Sequence, residues 1–475
     1  MATKIGQAAT ELAATNPWWR SPHTWARSDP DLRAAAASAL DYEPLALRDL
    51  QPGGLYLLRG PRRVGKTVAM KQAISRLLGD GQPPLSIIRV AADGWTASDL
   101  RTVVQNIALP PVPEGRQRWW FIDEVTAVEG DWATQIKWLR DNDAGFGDAT
   151  VVLTGSSAAS LTAGAGVLAG RRGRVPDVDR TLMPMGFRTF AATWKPDLLA
   201  LPVLAQGAIH SDAARAAYQE ANLWLSDVVP LWELYMSFGG FPASVAAAKA
   251  GQPIPRWFVD AMFDVIHRDA FAASGLDEST TVALVARIWR STSTPLSLRN
   301  VGDDLGLAHT TVARHVEYLR DAYLLWECPQ LDKEWVGRER AQDKIYPVDP
   351  LIGRLAHLRS DSRSDLDLTV LTESQVGMAL RRGALASGHT WTDDRPLYYL
   401  RTATRKEVDF VGESLGGAAV EGKYVEGGSW AREAATVQAS GYRGVLTTRN
   451  VLDLAGGPKG AWAVPAAVLA VLLDA

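Results

Sequence analysis

The run Gly60-Pro61-Arg62-Arg63-Val64-Gly65-Lys66-Thr67 constrains this chain more than any other stretch, because it fills every position of the pattern GxxxxGK[ST]. It follows Leu55 to Leu58, an apolar run bounded by Gly53, Gly54 and Gly60 that is expected to be a buried strand. It precedes Thr67 to Leu78, which has helical spacing. A strand, a glycine loop and a helix in that order curl backbone N–H groups around an anion and direct the positive end of the helix dipole at it. The expected ligand is a nucleoside triphosphate, with Lys66 neutralising the outer phosphates and the Thr67 hydroxyl ligating Mg²⁺. The alternative, a turn with no ligand, does not need all of these positions filled.

The second half of such a site is Phe121-Ile122-Asp123-Glu124, an apolar strand that delivers two carboxylates at its C-terminal end, where ligands of parallel sheets collect. Asp123 is expected in the Mg²⁺ shell. Glu124 is a base placed to orient and deprotonate water, which favours hydrolysis over a kinase-like transfer to a metabolite. The next strand, Ala149 to Leu153, runs into Thr154-Gly155-Ser156-Ser157, so Thr154 or Ser156 is expected near the γ-phosphate or the lytic water. Arg171, Arg172 and Arg174 form a basic knot. One of them, supplied in cis or by a neighbouring copy, is a candidate to stabilise transition-state charge, and a solvated basic loop is the open alternative.

Around these motifs the pattern alternates. Leu85 to Val90 and Trp119 to Ile122 have the character of strands, Trp132 to Arg140 that of a helix, and Asp31 to Leu47 is helix-like; strands alternating with helices imply a parallel sheet with crossovers. At 475 residues the chain has room for about two to four domains. With 50 basic against 53 acidic residues, the formal charge of -3 excludes a wholly basic nucleic-acid binder and confines polyanion contact to local patches. Cys328 is the sole cysteine, which excludes an internal disulfide framework and multi-cysteine zinc sites. The stretch Met1 to Trp19 has no apolar core of a leader, and the apolar tail Ala461 to Leu473 is too short for a bilayer, so a cytoplasmic protein with no membrane contact is expected.

At this point the sequence resembles the AAA+-type ATPases of the archaeal ATPase group and their bacterial relatives, which carry a C-terminal nuclease-like domain. The resemblance rests on Asn16-Pro17-Trp18-Trp19, Gly60 to Thr67, Ile122-Asp123-Glu124, and Trp132 with Lys137-Trp138-Leu139-Arg140-Asp141. It extends to Thr154-Gly155-Ser156-Ser157, Leu168-Ala169-Gly170-Arg171, Met183-Pro184-Met185-Gly186-Phe187-Arg188 and Gly239-Gly240-Phe241-Pro242. The family usually has Leu and Ser where Met185 and Gly186 stand. The resemblance implies Arg171 as the arginine of the site, and it implies that Gly239 to Pro242 lie in a helical region closing over the nucleotide.

Two further constellations carry chemistry. Ser297 to Leu305, the turn Gly306-Leu307, and Thr310 to Arg320 begun by His309 have the spacing of a helix-turn-helix. Val301, Leu305, Val312, Val316 and Leu319 form its seam, and Thr310, Thr311, Arg314 and His315 are expected outward. Leu324 to Glu327 and Lys344 to Val348 would supply a wing. DNA contact here is open, because Asp303, Asp304 and Glu317 lie near the same face. Near the C-terminus, Glu407-Val408-Asp409 and Glu421-Gly422-Lys423 alternate along two strands joined through Gly416-Gly417. If their polar faces coincide, Asp409 and Glu421 share a Mg²⁺ beside Lys423. This resembles the PD-(D/E)xK nuclease core, with Val408 where a proline usually stands and Glu373, on a helix from about Leu366 to Arg382, as a third carboxylate. A surface hairpin with cross-strand ion pairs is the alternative. The pairs Trp18-Trp19 and Trp119-Trp120 are expected to be buried packing rather than base-stacking platforms. The seven histidines lack ligand spacing.

The expected fold class is therefore α/β: a P-loop AAA+ parallel-sheet core over residues 1–185, a helical lid over 186–272, a winged helix over 273–345 and a C-terminal α/β PD-(D/E)xK-like domain over 346–475. The expected ligands are ATP and Mg²⁺. Partners would be DNA, through the winged helix and the C-terminal domain, and further copies of the chain. Two functional classes stay open: an ATP-controlled nuclease, and a nucleotide-dependent switch whose C-terminal domain is inactive and docks DNA or a protein.

Overall fold

The structure is a computed structural model that describes residues 10–38, 40, 42–107, 109–155, 158–267, 275–331, 341–359, 367–386, 391, 396–402, 406–456 and 460–473. The chain divides into two compact units, Met1–Leu182 and Met183–Ala475.

In the first unit, five strands make one sheet: β1 (Leu55–Arg59), β2 (Ile87–Ala91), β3 (Trp119–Asp123), β4 (Thr150–Thr154) and β5 (Asp179–Thr181). Every pairing is parallel and the order is β2-β3-β4-β1-β5. This is the parallel α/β layout expected from the alternating pattern. β1, β3 and β4 are buried along their whole length, as continuous apolar runs covered on both faces must be. Helix α1 (Pro30–Ala37) precedes the sheet, and α2 (Lys66–Gly79), α3 (Ala97–Asn106), α4 (Trp132–Asn142) and α5 (Ala158–Val167) are interleaved with the strands. Register aligns Leu58 with Thr154 and Ala91 with Asp123, so these strands end together. The three-residue β5 was not foreseen; Arg59 and Arg172 hold it through Asp179, at 3.0 and 2.5 Å.

One expected helix is shorter than its pattern. Asp31 to Leu47 is helical only to Ala37, where the Ser38 hydroxyl turns back to the Ala35 carbonyl. Pro44, which has no N–H to donate, leads into a separate single turn at Leu45–Leu47. The N-cap Asp29 and Asp31 of α1 each lie 2.7 Å from the Lys71 ammonium on α2, tying α1 to the helix that follows the glycine loop.

Asn16-Pro17-Trp18-Trp19 finishes the outer edge of β2. The Asn16 side-chain amide donates to the Arg89 carbonyl (2.8 Å) and accepts from the Arg89 N–H (2.6 Å), as a neighbouring strand would. Both indoles donate to the Ile87 carbonyl, at 3.0 and 2.9 Å. Trp18, Trp119 and Trp120 are buried, so these tryptophans are packing and edge-capping groups.

The second unit opens with α6 (Phe187–Ala192), α7 (Asp212–Ala221), α8 (Leu225–Phe238), α9 (Pro242–Lys249), α10 (Arg256–Asp264) and α11 (Glu278–Trp289). Next come α12 (Leu298–Leu305) and α13 (His309–Asp321), separated by Gly306 in the left-handed region at φ 66°, and a ribbon of antiparallel β6 (Leu325–Cys328) and β7 (Lys344–Pro347). Ser297 caps α12 by accepting from the Asn300 N–H. Thr310 and Arg314 are exposed, but His315 is buried and bonded to the Thr311 carbonyl, so it does not face outward as expected. It lies one residue from Val316, inside the seam that runs from Val312 to Leu319.

Helices α14 (Pro350–Arg359) and α15 (Leu368–Ala386) follow. The second sheet comprises β8 (Tyr398–Arg401), β9 (Glu407–Val411), β10 (Ala418–Val425), β11 (Arg443–Thr448) and β12 (Ala461–Pro465), with α16 (Trp430–Ala439) between β10 and β11. The order is β12-β11-β10-β9-β8, parallel through β10-β11-β12 and antiparallel at β8-β9-β10. The apolar tail forms α17 (Ala466–Leu473), buried throughout, whose last carbonyls accept from the Arg188 guanidinium and the Leu204 N–H. Met185 and Gly240 pair through their backbones, and the Asp349 carboxylate accepts from the Gly240 N–H at 2.6 Å. Among the described residues no helix is long and apolar enough to cross a membrane.

Candidate functional site

The glycine loop joins β1 to α2 as its sequence requires. Gly60 has φ 139°, and a Cβ there would stand 2.0 Å from the Leu182 carbonyl oxygen; Gly65 has φ 99°. Arg63 also takes a positive φ, 66°. Pro61 and Val64 are buried while Arg62 and Arg63 are exposed. Gly65 is the N-cap of α2 and contributes no side-chain cap, so the first N–H groups of that helix face the loop. The Lys66 ammonium donates to the Gly60 carbonyl at 2.9 Å and the Pro61 carbonyl at 3.0 Å. Burial pulls its pKa down to about 8, against the opposing charges of Glu124 and Asp123. Thr67 follows, half-buried, at the second position of α2.

At the adjoining strand ends, Asp123 closes β3. Its Oδ1 accepts from the Thr154 hydroxyl at 2.7 Å and its Oδ2 from Arg89 Nη2 at 2.6 Å. Thr154 Oγ1 also accepts from the Glu124 N–H at 3.3 Å, so one hydroxyl on β4 links the Asp123 carboxylate to the Glu124 backbone. Glu124 sits at φ 54°, a left-handed conformation that costs a non-glycine residue about 1–3 kcal/mol and turns its side chain out of the strand. Thr154, expected beside the γ-phosphate, has its proton on Asp123. Ser156 lies outside the described residues. Arg171 donates to both carboxylate oxygens of Asp141 at 3.1 Å and is partly exposed, apart from the loop's hydrogen bonds. Arg89 was missed in the sequence. Its signal was one cation inside the apolar run Ile87-Ile88-Arg89-Val90.

These residues fit a nucleotide with Mg²⁺. Uncapped helix N–H groups, an ammonium whose bonds go to the neutral Gly60 and Pro61 carbonyls, a hydroxyl at Thr67 and the buried carboxylate of Asp123 are the donor and acceptor types that a phosphate–metal pair needs.

The C-terminal residues singled out by the sequence also meet. β9 and β10 are antiparallel with Val420 opposite Phe410, which sets Glu421 opposite Asp409. Side chains then replace the ladder: the Asp409 N–H donates to Glu421 Oε2 at 3.3 Å, and the Gly422 N–H to Asp409 Oδ2 at 3.0 Å. Lys423 Nζ lies 3.0 Å from Glu421 Oε1 and 3.5 Å from Asp409 Oδ2. α15 presses Glu373 against the same cluster, since a Cβ on Gly422 would stand 2.7 Å from the Glu373 Cα.

Lys344, at the start of β7, was not foreseen and sits among these acids. Its ammonium lies 2.7 Å from Glu407 Oε1, 2.9 Å from Asp409 Oδ1 and 3.2 Å from Glu373 Oε1. Tyr346 donates to Glu373 Oε1 at 2.7 Å, and Arg401 donates to Glu407 at 3.0 Å. Burial raises the Glu373 and Glu421 pKa values, with the Asp409 charge adding to it. Asp409 is also pushed up by burial, but the Lys344 and Lys423 ammoniums outweigh that and hold it low. The Mg²⁺ implied at Asp409, Glu421 and Glu373 does not fit this arrangement. The oxygens it needs are turned onto two ammoniums, and among the described residues no group of three or more His, Cys, Asp or Glu is arranged to hold a metal ion.

Comparison with known proteins gives the first unit its class. Residues 53–191 match the family model described as AAA domain, and residues 229–363 match a domain of unknown function (DUF8612). A search of the curated proteins finds no match. Solved structures similar to the chain include the Walker-type ATPase PABY2304 of Pyrococcus abyssi, 13% identical over 68% of this chain and 94% of that one at TM-score 0.39. The ORC2 protein of Aeropyrum pernix in ADPNP–ADP complexes is 10% identical, over 70% and 93%, at TM-score 0.34. The ORC1 protein of Aeropyrum pernix in complex with DNA is 12% identical, over 71% and 92%, at TM-score 0.28. At TM-scores this low the likenesses carry no argument. The family match does: residues 53–191, with the loop and the paired acids inside them, match an AAA domain, and the chain is a P-loop ATPase.

Proposed function

We propose that the ATPase is Mg²⁺-dependent and works as a nucleotide-driven switch acting on nucleic acid. In this reading the loop N–H groups and the start of α2 take the β- and γ-phosphates, and Lys66 exchanges its two carbonyl partners for phosphate oxygens. When bound, Mg²⁺ supplies the charge neutralisation that lets the phosphoryl group leave. Thr67 and Asp123 would hold it. Glu124 orients water and accepts its proton, and Arg171, offered at the surface of its unit, would complete the site of a neighbouring copy. The observation that carries this reading is the Thr154 hydroxyl, which holds the Asp123 carboxylate and the Glu124 backbone N–H at the strand ends. Phosphate release from ATP tests it. Turnover should vanish with EDTA, and Glu124→Gln should bind ATP yet turn over at least about a hundred-fold more slowly. A Glu124→Gln protein with full turnover, or phosphate appearing on an added acceptor, would refute it.

For the second unit we propose the division into a helical region (186–272), a winged helix (273–345) and a PD-(D/E)xK-like domain (346–475). α12, Gly306, α13 and the β6–β7 ribbon support the middle assignment, and exposed Thr310 and Arg314 offer polar contacts to DNA. Asp303 and Asp304 on the same helix pair are engaged by Arg299 and Arg287. Convergence of Asp409, Glu421, Lys423 and Glu373 supports the last assignment. The place taken by Lys344 favours a docking role over cutting. A second reading, an ATP-controlled nuclease, predicts nicked plasmid in Mg²⁺.

A further inference from the structure

Three carboxylates from separate parts of the second unit converge on one nitrogen. Glu373 comes from α15 and Glu407 and Asp409 from β9, and all three have an oxygen within 3.2 Å of Lys344 Nζ. An ammonium has three protons, and here each has a charged acceptor. The side chain is 1% exposed, so this is no surface lysine resting on a nearby acid. Its backbone is fixed as well: Lys344 pairs with Cys328 across the ribbon and forms a bridge to Pro295. The Tyr346 hydroxyl takes a further share of Glu373 from the same strand.

The cluster has four carboxylates, and its second lysine, Lys423, takes the position between Glu421 and Asp409. A divalent cation would satisfy Glu373 and Asp409 with a single centre at about 2.0–2.6 Å from each oxygen. The centre present is a nitrogen at hydrogen-bond distances.

We propose that Lys344 is an intramolecular plug: its ammonium stands in for the divalent cation of the nuclease-like cluster, and displacing it opens the cluster to metal. The proposal rests on reading Asp409, Glu421, Lys423 and Glu373 as nuclease-like. The plug is carried on β7, which pairs with the strand leaving α13, so a ligand that shifts the ribbon shifts the ammonium with it. Burial of the three carboxylates left without their ammonium in Lys344→Met disfavours that variant unless a cation enters, and this makes metal uptake its expected signature.

The test is a titration of the full chain with manganese(II) chloride alone, without nucleotide, read by loss of the free-ion electron paramagnetic resonance signal. The wild-type chain should take up less than ~0.1 ion per chain at the cluster, and Lys344→Met about one, lost again in Lys344→Met/Asp409→Asn. Lys344→Gln, which keeps a hydrogen-bonding side chain, is the second variant should the methionine protein not fold. Folded Lys344→Met or Lys344→Gln with no added uptake overturns the plug. So does a wild-type ion that Asp409→Asn abolishes. Failure of both variants to fold also overturns it, since the lysine would then be purely structural. Plasmid cleavage separates the underlying readings: uptake without cutting keeps the plug and the docking role, and uptake with new cutting keeps the plug and supports the ATP-controlled nuclease instead.

Discussion

Thr154→Val tests whether a single hydroxyl organises the ATPase centre. The substitution keeps the shape of a fully buried side chain and deletes two hydrogen bonds, one donated to Asp123 at 2.7 Å and one accepted from the Glu124 N–H at 3.3 Å. The first reaches a buried carboxylate and is worth about 1.5–3 kcal/mol; the second is long and adds about 0.5–1 kcal/mol. Arg89 still holds the other oxygen of Asp123, so the acid keeps its charge partner but gains a degree of rotation. The expected loss of folding stability is about 2–4 kcal/mol, measured by urea unfolding. If aim at the phosphoryl group depends on that restraint, the same energy lowers kcat about 30- to 900-fold at nearly unchanged ATP affinity. Thr154→Ser should restore both. A folded Thr154→Val protein with kcat within about two-fold of wild type would refute the reasoning. A loss confined to ATP affinity would do so too, since it would put the hydroxyl on the nucleotide.

Two further outcomes follow from other parts of the molecule. The Lys66 pKa is lowered from 10.5 to about 8, so above about pH 8 the nucleotide-free site has lost its ammonium and must take up a proton to bind ATP. The ATP Kd should therefore weaken toward ten-fold per unit of rising pH above about 8, with proton uptake visible by calorimetry in buffers of different ionisation enthalpy. The sign for stability is opposite. Between about pH 8 and 10 the unfolded chain holds the extra proton, so the nucleotide-free fold gains stability as pH rises; a flat Kd across that window would refute the assignment. Gly239→Ala forces a Cβ to 2.0 Å from Asp349 Oδ1 at φ 70°, so it should cost about 2–4 kcal/mol through backbone strain and overpacking. A shift in unfolding free energy under about 0.5 kcal/mol would show that the Asp349 contact gives way freely.

What the sequence revealed and what it withheld have separate physical causes. The glycine loop was legible because its backbone needs residues without a Cβ at Gly60 and Gly65, a demand that leaves a fixed local spacing. Asp123 and Glu124 were legible because an apolar strand ending in two acids is unusual within a few residues. Arg89 was hidden, since its partner Asp123 lies 34 residues away and becomes a neighbour only when β2 pairs with β3. Lys344 was hidden for the same reason, 65 residues from Asp409. It read as an ordinary polar start to a wing strand. Asp349, which secures Gly240 from 109 residues away, left no local trace. His315 was legible and misassigned: its place beside Val316 in the helical seam predicts burial, and only its polarity suggested the surface.

The capped border of β2 limits how copies of this chain can join. Asn16, Trp18 and Trp19 already take the Ile87 carbonyl and both backbone groups of Arg89, so a second molecule finds those ladder positions filled. At the opposite rim the three-residue β5 offers little length, and its leading aspartate is bound by two arginines. Any assembly built on this sheet would have to be cemented by side-chain surfaces, not by a β-structure shared between copies.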